Sequence, residues 1–90
     1  LTEYHSNYES GDGYADITFK SEFSEKAVII EIKVAPVGSD LIPLSEYAIA
    51  QIEDKHYAEL FLQNSMTQSI YAYGIAFAGK NCFISVKKIK

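Results

Sequence analysis

Ninety residues bound the chain to one domain, and a chain this short buries only about 60–65% of its unfolded surface, so its stability margin is thin. Hydrophobic residues at 48% and charged residues at 22% sit close to globular averages, which argues against disorder, collagen-like repeats or a membrane protein. A net charge of −4, with eight lysines and no arginine, argues against tight autonomous binding to DNA, which calls for a basic, arginine-bearing face.

The longest apolar runs, such as 27–30 and 75–78, fall far short of the roughly 20 residues that span a bilayer. The chain opens on Leu1 and shows neither a basic leader nor an apolar signal core, so the expectation is a cytoplasmic fragment of a longer protein, with residues 1–90 as its single domain. Cys82 sits in the alternating pattern Cys82, Ile84, Val86 and reads as a small buried thiol.

In chain order, residues 2–8 carry tyrosines at even positions and suggest a first strand, ended by a turn at Gly11, Asp12 and Gly13. From Tyr14 to Lys20 the residues alternate, with Ala15, Ile17 and Phe19 on one face and Tyr14, Asp16, Thr18 and Lys20 on the other. Polar residues 21–26 interrupt the pattern. The almost wholly apolar, β-branched run 27–35 then predicts a central strand buried on both faces, stopped by Pro36 and Gly38.

Ser39 or Asp40 can serve as a helix N-cap, and Pro43 is tolerated in a first turn, which predicts one long helix over about 41–64. Its buried stripe would run along Leu44, Ala48, Ile52, Leu60 and Phe61. Strands at 69–78 and 81–86 close the chain, joined by a tight hairpin at Gly79 and Lys80. The predicted order is therefore β-β-β-α-β-β, an α/β (α+β) chain with a mixed sheet.

Glu31 and Lys33 interrupt the apolar run of the central strand and project to one face, while Val28, Ile30, Ile32 and Val34 fill the other. If strands 14–20 and 27–34 form a hairpin around the polar loop, with Lys20 facing Ala27, then Asp16 lands directly opposite Glu31. Two carboxylates held about 5 Å apart repel unless a cation or a shared proton relieves them; a divalent metal is the natural remedy, and Mg2+ takes one or two carboxylates together with water and phosphate oxygens. Lys33 beside them would stabilise developing negative charge or hold the attacking water during phosphodiester hydrolysis. The competing reading is a buried Glu31–Lys33 salt bridge with Asp16 exposed at a hairpin edge. Gln51 comes seven residues after Leu44 and three after Ala48, so a polar amide faces the sheet where an apolar residue would be cheaper.

The stretch from Glu9 to Asp16, then Ile30-Glu31-Ile32-Lys33-Val34, then Gln51, resembles the motifs of the PD-(D/E)XK nuclease superfamily. More narrowly, with the ending Tyr73 to Lys80, the chain resembles the C-terminal nuclease-like domain of bacterial proteins that carry an AAA-type ATPase domain upstream. The resemblance implies a restriction-endonuclease-like fold with its first core helix missing here. It also implies a nuclease acting on DNA, or a regulatory module beside the ATPase domain.

The metal would be Mg2+ or Mn2+, bound by Asp16 and Glu31, with Glu9 as an additional acidic ligand. Lys33 would be the catalytic lysine, and Gln51 an active-site residue. An uncovered apolar sheet face would invite a homodimer or packing on the missing segment. Ala15 stands where a larger or basic residue is expected in close relatives, and the lack of arginine leaves phosphate gripping to lysines. His5 and His56 have no partners at catalytic or metal-ligand spacing and read as surface or strand-edge residues.

Overall fold

A computed structural model describes the backbone of residues 2–9, 14–23 and 25–90, and the side chains of 17–22 and 25–90. The expected turn at Gly11, Asp12 and Gly13 and the side chains of His5, Glu9 and Asp16 lie outside the described residues.

Five strands make one mixed sheet in the order β1-β2-β3-β4-β5: β1 (Thr2–Glu9), β2 (Tyr14–Phe23), β3 (Lys26–Ala35), β4 (Ser69–Ala78) and β5 (Asn81–Lys88). Neighbours pair antiparallel except β3 and β4, which run parallel and so need a crossover. That crossover, residues 36–68, carries helices α1 (Leu41–Asp54) and α2 (Glu59–Gln63). The β5 hairpin turns at Gly79, whose φ of +60° suits the first central position of a tight two-residue turn.

Alternation along β3 sets the architecture. Ala27, Ile29, Glu31, Lys33 and Ala35 are buried, and the residues between them are only half-buried. Both helices cover the first face. Ile49, Ile52, Ala58 and Phe61 meet Ala27, Ile29, Ile70 and Ala72 in the core. The expected burial of β3 on both faces is therefore corrected. Across the other face Phe77, Ile84 and Val86 are exposed, and no described helix packs on it.

The single helix expected over 41–64 is two. His56 takes φ +56°, its N–H donates to the Glu53 carbonyl at 3.2 Å, and the Tyr57 N–H donates to the Ile52 carbonyl at 3.1 Å. This is a Schellman cap with histidine where glycine usually stands, so no glycine signals the break. The interruption turns Leu60 outward, contrary to expectation, while Ala48, Ile52 and Phe61 are buried as expected. At the other end, Asp40 occupies the N-cap position but its side chain makes no cap hydrogen bond, and the Ser39 hydroxyl donates to the Pro36 carbonyl instead.

Cys82 is exposed, not buried. It lies on the edge strand β5, where neither an outer neighbouring strand nor a described helix covers its side. None of the described helices is long and apolar enough to cross a membrane.

Candidate active site

The hairpin of β2 and β3 pairs Phe23 with Lys26, so facing residue numbers sum to 49. Asp16 therefore stands opposite Lys33, and Thr18 stands opposite Glu31. The expected Asp16–Glu31 pairing is off by two residues. The polar stretch does not loop out, because its side chains find partners within the fold. Glu22 accepts hydrogen bonds from the Thr67 hydroxyl at 3.0 Å and the Asn64 amide at 3.4 Å. A strand thus continues through Ser21 and Glu22. A slip of two preserves the face, so Asp16 keeps a register position diagonal to Glu31.

Glu31 is 2% exposed and Lys33 is 4% exposed. A carboxylate and an ammonium this deep require compensation. The Thr18 hydroxyl donates to Glu31 Oε1 at 2.5 Å, and Lys33 Nζ lies 3.3 Å from Glu31 Oε2. Lys33 Nζ also donates to Gln51 Oε1 and sits 5.2 Å from the centre of the Tyr47 ring. Gln51, picked out by its place on the helix, thus joins the pair. The polar amide facing the sheet is matched to a buried cation.

Helix α1 reaches this position because β4 turns small residues toward it. Ala72, Gly74 and Ala76 are buried under the helix, and Gly74 is in register with Glu31. A Cβ built on Gly74 would stand 2.2 Å from the Ser45 carbonyl oxygen, so a side chain there would force helix and strand apart. Ser45 and Ser85 share a hydrogen bond of 2.7 Å that ties the same turn of α1 to β5.

The donors that gather here are oxygens, which suits a hard divalent cation rather than a thiolate-bound metal. An ionised carboxylate offers about four lone-pair sites. Thr18 and Lys33 engage one each, so Glu31 keeps lone pairs with which it could help to hold a divalent cation. Among the described residues no group of three or more His, Cys, Asp or Glu stands together as a metal cluster. A second carboxylate would come from position 16. Glu9 ends β1 opposite Tyr14, farther along the sheet.

Three contributors were not singled out from sequence. Thr18 lies in the alternation of β2, and the correct register would have put it against Glu31. Tyr47 precedes Gln51 by four residues, the spacing that shares a helix face. Gly74 carried no signal of its own. His56 belongs to the helix cap and takes no part in this site.

A family model described as the PD-(D/E)XK nuclease superfamily matches residues 2–87, nearly the whole chain. No curated protein and no solved structure matches it.

Proposed function

Since the chain belongs to the PD-(D/E)XK nuclease superfamily, we propose that it is a divalent-metal-dependent hydrolase of phosphodiester bonds in nucleic acid, DNA ahead of RNA. The observation that carries the reading is the buried Glu31–Lys33 pair on the central strand with Gln51 beside it. Replacing such a pair with apolar residues is often neutral or stabilising, so packing alone does not account for it.

In this reading Glu31 and Asp16 hold Mg2+ or Mn2+, and Glu9 is a candidate for a further ligand. Lewis-acid chemistry, lowering the pKa of a water and polarising the phosphate, is what such a metal would supply when bound. Thr18 fixes the Glu31 carboxylate through Oε1 and leaves lone pairs for coordination. Lys33, oriented by Gln51, offers its ammonium group to the charge that develops on the phosphate oxygens.

A second reading is a catalytically silent regulatory module beside an AAA-type ATPase domain. It draws on the same ion pair, which is satisfied by protein groups and nearly closed to solvent.

Calorimetric titration with Mn2+ or Mg2+ on the wild type and on Asp16→Ala, followed by cleavage assays with Lys33→Ala, separates the two. Binding lost in Asp16→Ala and cleavage lost in Lys33→Ala is the expected result. A folded wild type that binds metal but cuts nothing would leave the silent module standing, and one that binds neither metal would favour a purely structural salt bridge.

A further inference from the structure

Tyr47 is 57% exposed, yet its ring lies beside the site, 5.2 Å from Lys33 Nζ. It stands four residues before Gln51 on α1, and both side chains meet the same lysine. The ring also lines an open concavity of about 440 Å3 together with Ala35, Ser39, Asp40, Pro43 and Leu44. The wall is mostly apolar, and among the described residues that line it Asp40 alone carries a formal charge.

That lining selects its occupant. Asp40 would repel a backbone phosphate inside the concavity, and none of the residues that line it offers a cation, so the phosphate belongs beside it, toward Lys33. A flat heteroaromatic base suits both the apolar wall and the tyrosine, and a carboxylate accepts from an exocyclic base amine. The chain's overall charge points the same way. Duplex DNA is held chiefly by neutralising its phosphates, and a chain of net charge −4 without arginine is poorly equipped for that. Stacking on an aromatic ring needs no charge and contributes roughly ten- to hundredfold in affinity per base.

We propose that Tyr47 stacks on an unpaired base next to the scissile phosphate, so that the substrate is single-stranded or locally unpaired nucleic acid rather than intact duplex. The inference rests on the hydrolase reading and narrows its substrate class. Tyr47 is then a positioning residue: it places the strand whose phosphate comes to Lys33. Its cation–π contact with that lysine keeps the ring beside the reacting group.

The test is a fluorescence titration of a single-stranded oligonucleotide carrying one 2-aminopurine, in EDTA so that nothing is cut, with the wild type, Tyr47→Phe and Tyr47→Leu. Cleavage of single-stranded and duplex substrates is measured in parallel with Mg2+. Wild type and Tyr47→Phe should bind with quenched fluorescence, while Tyr47→Leu should bind at least roughly tenfold more weakly and without quenching. Single strands should be cut in preference to duplex. Undiminished binding and quenching by Tyr47→Leu, or a preference for duplex, would overturn the inference; cleavage still abolished by Lys33→Ala would leave the hydrolase reading intact. A chain that neither binds nor cuts any nucleic acid sinks both.

Discussion

Glu31 and Gly74 stand in register on adjacent parallel strands, so the buried carboxylate lies next to a position where helix α1 comes down onto the sheet backbone. Gly74→Ala should therefore do two things. A methyl group 2.2 Å from the Ser45 carbonyl has to push the helix outward, at a cost of roughly 1–3 kcal/mol in a urea unfolding series. The same displacement carries Gln51 away from Lys33, and misplacement by about 1 Å can reduce cleavage by roughly a hundredfold. Stability and activity unchanged in Gly74→Ala would show that the helix does not dock as described.

The charged pair supports a sharper experiment. Lys33→Met alone leaves the Glu31 carboxylate buried without its cation and should cost roughly 3–5 kcal/mol. The double change Glu31→Leu with Lys33→Met removes both charges and should recover most of that loss, while any cleavage stays absent. Chemical denaturation of the wild type, Lys33→Met and the double variant reads the loss and its recovery. A double variant as unstable as Lys33→Met would mean that the pair is needed for folding rather than retained for chemistry.

His56 offers a gain of stability remote from the site. Its φ of +56° lies in the left-handed region, which is unfavourable by roughly 1–2 kcal/mol for a residue with a β-carbon. His56→Gly should raise stability by up to about 1 kcal/mol, and His56→Val should lower it, because a branched side chain tolerates that region worst. Thermal unfolding monitored by circular dichroism decides the sign.

How much of the fold and site was legible in the sequence depends on which properties are local. Alternation along β3 is local, and it assigned Glu31 and Lys33 to one face without help from the rest of the chain. Helical spacing is local too, and it put Gln51 against the sheet. Register is not. It depended on whether Ser21 and Glu22 would loop out, and the answer lies in Thr67 and Asn64, more than forty positions away in the chain. The helix break was hidden for a different reason: its cap uses histidine in a conformation that sequence rules assign to glycine. Cys82 was misread because an alternating pattern predicts a buried side only if something covers it, and β5 is an edge strand.

The two neighbours of Glu31 differ in how the chain brings them together. Thr18 arrives through a short antiparallel hairpin, whereas Gly74 arrives only after the crossover over residues 36–68 has closed, and closing a longer loop carries the larger entropy cost. Until then a β2–β3 hairpin would leave both charges in water, free of any desolvation penalty. The chain can thus set out its charged pair early and enclose it last, so that the enclosure of the site is a property of its longest-range pairing and not of the strand that bears it.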